Sequence, residues 1–429
     1  MMINITELKR KVIDEFLTSQ SLVTNTPFKS VAKIYTGEST NAEEKNKYSV
    51  KTDDCYPYVS TKDISIKGSI NFENGMYIPK GKKKFSIAPV NSILLCIEGG
   101  NAGNKIAIVK EATCFVNKLC CFDIFGADNR FIYYYLLSNQ FRNNFKEQMT
   151  GLIGGVSVKK LKELILPLPH ITEQKRIADK LDVIFAELDK IDEKQTRLAT
   201  IQEKMEAKIL KLAIQGKLTE QLASDGDSKL LIAEAARKKQ ESLKLKKIEL
   251  NEPEEEDKVF SIPVSWNWAK LSNISQIESG GTPSRSEKKY WNGTIPWLKI
   301  GDLNSKCVTK SSEYITELGL KNSSARIFKR GTILYTIFAT IGVVSILDID
   351  ASTNQAIAGL SFFGNIDRDY LYYVLVELKN ILVGKSHGMT QSNINLTILK
   401  NIFIPIPPLE EQKRVVAKIE QLLPLCRRN

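Results

Sequence analysis

Ile165-Leu166-Pro167-Leu168-Pro169, followed three residues later by Glu173-Gln174-Lys175-Arg176-Ile177, returns near the other end of the chain. There it reads Ile404-Pro405-Ile406-Pro407-Pro408, then Glu411-Gln412-Lys413-Arg414-Val415, an offset of 238 residues from Glu173 to Glu411. Working outward, Tyr56-Pro57-Tyr58-Val59 with Asp63-Ile64 returns as Ile295-Pro296-Trp297-Leu298 with Asp302-Leu303 at an offset of 239. Ser92-Ile93-Leu94-Leu95 matches Thr332-Ile333-Leu334-Tyr335 at 240, and Val116-Asn117-Lys118 matches Thr353-Asn354-Gln355 at 237. Tyr133-Tyr134-Tyr135-Leu136 matches Tyr372-Tyr373-Val374-Leu375 at 239. Matches in one order at nearly one offset mark a tandem duplication. The repeated unit is about 150 residues long, a common size for one domain.

Composition narrows the function classes. The 429 residues carry 61 Lys and Arg against 49 Asp and Glu, a formal charge of +12 with histidine neutral, which favours a polyanionic partner. A hydrophobic fraction of 42% with only 14 prolines argues for folded cores. His170 and His387, the only histidines, leave little room for metal sites or Ser-His and Cys-His catalysis. Seven cysteines without a C-x-x-C pair or a secretory signal read as reduced thiols of a cytoplasmic protein. The N-terminal segment Asn4–Leu17 is a charged amphipathic helix, not a signal peptide. The uncharged stretch Gly331–Leu347 is too short to span a bilayer. It reads as two buried strands, Ile333–Phe338 and Val343–Leu347, meeting near Gly342. No membrane association is expected.

Each unit reads as α+β. Ile106–Val109, Phe122–Phe125, Ile333–Ile337 and Val343–Leu347 are strand-like, and Arg130–Gln140 and Arg368–Lys379 carry tyrosines and leucines at helical spacing. Those aromatics are read as core. After Pro169 the pattern changes to heptads, with Ile177, Ile184, Ile191, Leu198, Met205 and Leu212 at d, and Leu181, Leu188, Gln195, Gln202 and Ile209 at a. With no proline or glycine before Gly216, this predicts one coiled-coil helix from Glu173 to Leu218, about 70 Å long. Its apolar seam is Ile177, Leu181, Ile184, Leu188, Ile191, Leu198, Met205, Ile209 and Leu212. In the second copy Val415, Ile419 and Leu422 repeat the start of this pattern, and Pro424 follows. Lys11–Leu17 resembles Lys208–Ile214, as a circularly permuted repeat would. A polar helix (Lys229–Lys247) and the acidic Glu252–Asp257 loop lie between the helix and the second unit.

The doubled Pro-rich strand leading into Glu-Gln-Lys-Arg resembles the conserved regions of the specificity subunit of bacterial type I restriction–modification systems. Ile214-Gln215-Gly216-Lys217-Leu218, Ile262-Pro263 with Trp266-Asn267-Trp268, and Ser279-Gly280-Gly281-Thr282-Pro283-Ser284 with Tyr290-Trp291-Asn292-Gly293 are similar to that family too. The resemblance implies two duplicated target recognition domains joined by long coiled-coil helices. Its expected partition is an N-terminal helix (1–25), recognition domain 1 (26–169), the conserved helix (170–222) and a linker (223–260). Recognition domain 2 (261–408) and a short conserved helix (409–429) complete it. Such a subunit is not an enzyme. It reads a split double-stranded DNA site and directs methyltransferase and restriction/translocase subunits, which hold the S-adenosylmethionine and ATP, so this chain is expected to need no cofactor or metal.

DNA contact is expected from basic and amide residues on surface loops, cations supplying phosphate affinity and polar groups choosing bases. The candidates are Lys45, Lys47, Lys62, Lys82, Lys83 and Lys84 in the first unit. In the second they are Ser284, Arg285, Lys288, Lys289, Lys299, Arg326, Thr390, Gln391 and Ser392. Gly280-Gly281-Thr282-Pro283 is read as a tight turn shaping that surface. No G-x-x-x-x-G-K-[S/T] occurs, Lys379 standing where the first glycine would be, and the only Pro-Pro precedes leucine, which excludes an Asn/Asp-Pro-Pro-Tyr/Phe tetrad. Glu173-x-Lys175 and Glu411-x-Lys413 open helices and are not read as nuclease motifs. The competing readings are a coiled-coil scaffold binding other proteins and a truncated, inactive specificity variant.

Overall fold

The computed structural model describes residues 3–19, 23–150, 154–385 and 394–426. The chain divides into unit 1 (Met1–Arg197) and unit 2 (Leu198–Asn429). Unit 1 begins with α1 (Ile5–Thr18), β1 (Thr24–Pro27), β2 (Ala32–Thr36), α2 (Ala42–Lys47) and β3 (Cys55–Val59). There follow β4 (Tyr77–Pro79), β5 (Ile87–Ala88), β6 (Ile93–Cys96), β7 (Ile106–Ile108), β8 (Thr113–Phe115) and β9 (Leu119–Ile124). It continues through α3 (Asn129–Leu137), α4 (Asn139–Glu147), α5 (Val158–Glu163), β10 (Ile165–Leu168) and into α6 (Ile171–Ile214), within which the chain passes to unit 2.

Unit 2 adds α7 (Lys229–Leu243), β11 (Asn267–Lys270), α8 (Leu271–Ile274), β12 (Ser275–Ser279), β13 (Trp291–Leu298), β14 (Cys307–Val308) and β15 (Glu313–Ile315). After α9 (Glu317–Lys321) come β16 (Ile333–Thr336), β17 (Val344–Leu347), β18 (Ser352–Thr353) and β19 (Ile357–Phe362). α10 (Arg368–Lys385), α11 (Leu396–Asn401), β20 (Phe403–Ile406) and α12 (Leu409–Cys426) complete it.

The duplication is visible strand by strand. β1 pairs with β10 as β11 pairs with β20, and the sheet β2-β9-β6-β7 returns as β12-β19-β16-β17, extended by β14. The smaller sheet β4-β3-β8, extended by β5, returns as β15-β13-β18, with β3–β8 and β13–β18 both parallel. The uncharged stretch forms the antiparallel pair β16–β17, with Gly342 at φ +83° before β17.

The central strands β6 and β16 are buried throughout and almost wholly apolar because both faces are covered. In β6, Ile93 and Leu95 join the helices α1, α3 and α6 in one core, while Leu94 and Cys96 join β3 and β8 in another. In β16, Ile333 and Tyr335 face the helical core and Leu334 the opposite one. Period-two alternation therefore survives in packing though not in polarity.

The repeated Glu-Gln-Lys-Arg motif has a physical cause. Gln174, 2% exposed, donates from Nε2 to the Pro169 carbonyl at 2.8 Å and accepts the Asp128 backbone N–H at 2.8 Å. Gln412, fully buried, donates to the Pro407 carbonyl at 2.8 Å and accepts the Asp367 N–H at 2.7 Å. Asp128 and Asp367 in turn accept backbone N–H groups in the first turns of α3 and α10. One amide thus ties the exit of the last strand to the start of the core helix.

Three expectations need correction. The single helix expected over Arg130–Gln140 is two, because Ser138 takes ψ 156° and its Oγ accepts the Phe141 N–H, capping α4. Gly280-Gly281 is no tight turn: a Cβ on Gly280 would meet Thr353, and one on Gly281 would meet the Ser324 and Ala325 backbones, so close backbone approach requires both glycines. The heptad seam is not continuously buried. Ile177, Leu181 and Leu188 are buried with Ala178 and Phe185 in unit 1, and Ile184 is half-buried there. Ile191, Leu198 and Met205 are 41%, 47% and 49% exposed. In unit 2 the buried residues are Leu210, Ala213 and Ile214, with Ile209 and Leu212 half-buried. A straight α-helix drifts about 20° per heptad from a strict seven-residue repeat, which carries the later d positions off the face that Ile177 buries.

α1 packs antiparallel to the first half of α6. Gln195 exchanges hydrogen bonds with the Ile3 backbone, and Lys9 pairs with Asp189. Ile13 and Leu17 are buried in unit 1 as Leu210 and Ile214 are in unit 2, the pairing expected of a permuted repeat. α7 is polar outward, but Ile232, Ala235 and Ala236 are buried against unit 2.

Gln412→Leu strands a buried N–H and a carbonyl and is expected to destabilise unit 2 by about 2–5 kcal/mol, measured by chemical denaturation. Leu188→Asp is expected to cost several kcal/mol in the same measurement. Ile191→Asp, on the exposed stretch, is expected to change stability by less than about 1 kcal/mol.

Candidate nucleic-acid interface

In unit 1 the folding of two segments gathers the candidate lysines. Asn41 and Glu44 form a reciprocal cap that starts α2 just after β2, so Lys45 and Lys47 project from an exposed turn of helix. Lys84, over the Phe85 ring at 5.1 Å, pairs with Glu44 and draws the Lys82-Lys83-Lys84 segment to that helix. Lys62 lies apart, in the loop after β3 whose Thr61 carbonyl accepts from Lys105. That loop is shaped by Asp63, which accepts the Ser60 N–H at 2.8 Å, as Asp302 accepts the Lys299 N–H at 2.9 Å in unit 2. Among the described residues, no ion pair is formed by Lys45, Lys47, Lys62, Lys82 or Lys83.

Unit 2 treats its cations differently. Arg285 lies over the Trp291 and Trp297 rings, at 3.7 and 4.9 Å from their centroids, and pairs with Glu313 at 2.5 Å. Lys299 pairs with the same carboxylate at 2.8 Å. Arg285 first and Lys299 second hold the Glu313 carboxyl below the usual carboxylate range. Ser284 offers its carbonyl to Trp291 Nε1 and its hydroxyl to Ser286. Lys289 pairs with Glu287 at 3.3 Å, Arg326 with Glu278, and Lys288 is exposed. Thr390, Gln391 and Ser392 lie outside the described residues.

Sequence reasoning missed Glu313, because nothing near it in the chain marks it as the partner of a residue 28 positions away. It also left Trp291 and Trp297 without a role in presenting Arg285. The alternation in Trp291–Leu298, which turns Trp291, Ile295 and Trp297 to one core, carried that signal.

Other chemistry is occupied structurally. Glu173 pairs with Arg176, and the fully buried Glu411 accepts from Trp266 Nε1, Gln221 Nε2 and Thr219 Oγ1. Burial pushes the Cys114 and Cys121 thiols up to about 12 and about 11, and raises Cys120 further, so none is a thiolate near neutrality. Among the described residues no cluster of three His, Cys, Asp or Glu could hold a metal ion, and no helix is long and apolar enough to cross a membrane.

A model of the type I restriction modification DNA specificity domain matches residues 22–202 and 263–426. The specificity subunit of the type I restriction enzyme MjaIX of Methanocaldococcus jannaschii is 34% identical over 165 residues, 37% of this chain and 38% of that relative. The EcoBI specificity subunit of Escherichia coli is 25% identical over 410 residues, 92% of this chain and 77% of that one. A solved chain, described for the complex assembly and conformational transition of the type I R-M system, superposes with a TM-score of 0.63 at 18% identity. The superposition covers 95% of this chain and 92% of that one, and shows a shared fold.

Replacing Lys45, Lys47, Lys82 and Lys83 with glutamine is expected to weaken duplex DNA binding without changing the sequence recognised. The slope of log K against log salt should flatten by about 0.9 for each phosphate that the altered surface no longer neutralises, measured by anisotropy titrations at several salt concentrations.

Proposed function

The chain belongs to the type I restriction–modification DNA specificity family, and from that premise we propose that it is a non-catalytic specificity subunit that reads a split DNA target. Residues 26–169 and 261–408 are its two target recognition domains, each reading one half-site. The conserved helices, 170–222 with 1–25 and 409–429, connect the domains and carry the docking surfaces for partners, and 223–260 links helix to second domain.

The observation that carries this reading is the strand-by-strand repetition of one α+β unit, each copy closed by the same buried glutamine, with differently charged surface loops. Two copies of one scaffold with separate surfaces suit two independent readings. A duplicated scaffold serving a single ligand would have no reason to diverge there. Phosphate contacts from the lysines of unit 1 and from the basic loops of unit 2 supply affinity, and polar side chains among them select bases.

Methyl transfer and DNA translocation belong to separate methyltransferase and restriction/translocase subunits, which bind S-adenosylmethionine and ATP. The absence of a Walker A motif and of the amino-methyltransferase tetrad from the sequence supports this division. A DNA-directed subunit of this kind works in the cytoplasm.

The test is a domain exchange. Replacing residues 26–169 with the first domain of a relative of different specificity is expected to change one half of the methylated sequence and leave the other intact. Methylome sequencing of cells carrying the chimera with its methyltransferase subunit reads the outcome. A change in both halves would show that the units are not independent readers. The purified chain alone should bind duplex DNA and methylate nothing.

A further inference from the structure

In unit 2, three charged side chains from separate segments meet at the surface. Arg285 follows β12, Lys299 follows β13, and Glu313 opens β15. Arg285 Nη1 donates to Glu313 Oε2 at 2.5 Å, and Lys299 Nζ donates to Oε1 at 2.8 Å. One carboxylate therefore satisfies two cations, one through each oxygen.

The cations are held where they are by groups other than Glu313. The guanidinium is stacked on Trp291, whose Nε1 donates to the Ser284 carbonyl, and beside Trp297, whose Nε1 donates to the Gly281 carbonyl. Asp302 accepts the backbone N–H groups of both Lys299 and Ser312. The Ser311 hydroxyl bonds to the Trp297 and Glu313 carbonyls, locking β13 and β15 together behind the pair. A stacked guanidinium gives up little further freedom on binding an anion, because the stacking has already fixed it. Arg285 and Lys299 are also the exposed members, at 55% and 46%, while Glu313 is 26% exposed.

A carboxylate and a phosphodiester share what this site recognises: one negative charge over two oxygens. We propose that Arg285 and Lys299 form a seat for one DNA backbone phosphate, and that Glu313 occupies that seat in the free chain. The inference rests on the DNA-reading function above and adds to it a competitor within the protein. Unit 2 then engages the backbone only by displacing its own carboxylate. Exposed ion pairs are weak enough for that exchange. Protonation does not empty the seat near neutral pH, since the two cations keep Glu313 ionised. The site contributes contact to any duplex and carries no base information.

Glu313→Gln in the full chain tests this, with binding measured against random duplex and against the methylome-defined site over a salt series. Removal of the competitor is expected to tighten binding to both DNAs by about two- to fivefold. The slope of log K against log salt should change by less than about 0.9, the amount for one phosphate, because the same phosphate fills the seat in both chains. The recognised sequence should stay the same. In an Arg285→Gln/Lys299→Gln background the added Glu313→Gln should bring no gain. Glu313→Ala is the second variant, and thermal melting establishes that each chain is folded. No gain, or weaker binding, in folded Glu313→Gln and Glu313→Ala would overturn the seat and leave Glu313 as a support for Arg285. A changed methylated sequence would overturn it in favour of base reading by the carboxylate. Salt-independent or absent binding by the unsubstituted chain would instead overturn the DNA-reading function itself.

Discussion

In each unit a buried carboxamide, Gln174 or Gln412, joins segments that the sequence keeps some 45 residues apart. The side chain has one donor face and one acceptor face, and the site requires both: a proline carbonyl ending a strand and a backbone N–H opening a core helix. Neither group has a partner in regular structure, since the strand has ended and the helix has not begun. Leaving them unpaired in a buried place would cost about 1–3 kcal/mol each. Glutamate would meet the carbonyl with a second acceptor, and leucine would satisfy neither. Glutamine placed one turn into the outgoing helix settles both, and in doing so fixes how that helix leaves its own unit. The remaining packing of the helix's first half, Ile177, Leu181, Phe185 and Leu188 in unit 1, follows from that exit.

The strands behind the bracket explain why the unit tolerates so little polarity inside. β6 and β16 are covered on both faces, so their side chains have no solvent side to alternate toward. Aromatic residues fill the helical side: Phe28 meets Phe122 and Phe141 edge-on, and Tyr135 sends its hydroxyl to the Ile165 carbonyl. In unit 2, Tyr370 does the same toward Pro405. These hydroxyls reach backbone in the last strand, close to the glutamine, so the aromatic core and the bracket stabilise one place from two directions.

Much of this was legible in the sequence because it repeats. A buried glutamine, a turn-shaping aspartate (Asp63, Asp302) and a doubly covered strand leave the same residues at the same offset twice, and the offset places the elements without any knowledge of their geometry. Features used once left no such trace. Ser138 splits one helix of unit 1, Glu313 finds Arg285 across 28 residues, and Glu411 gathers Gln221 and Thr219 from one segment and Trp266 from another. The heptad reading of α6 found one long helix and the start of its buried seam but overextended that seam, for a different reason. Isoleucines and leucines every seven residues look like one seam, yet a 3.6-residue helix carries them around its surface over so many turns. The residues buried in unit 2, Leu210, Ala213 and Ile214, belong to the helical period and not to the heptad.

The division between repeated and unrepeated residues is itself a physical statement about the protein. Much of what repeats is buried and makes bonds within a unit. What differs lies on the surface loops: exposed lysines around α2 in unit 1, and a stacked arginine, a lysine and a shared carboxylate in unit 2. The bracket draws on none of these loops, since its four partners are backbone groups at element ends. A substitution among the lysines of α2 therefore leaves the exit of α6 unchanged, and an exchange at Arg285 leaves that of α12 unchanged. Surfaces can then be altered one unit at a time while each scaffold keeps its geometry, which is the condition two separately changeable half-site readings require.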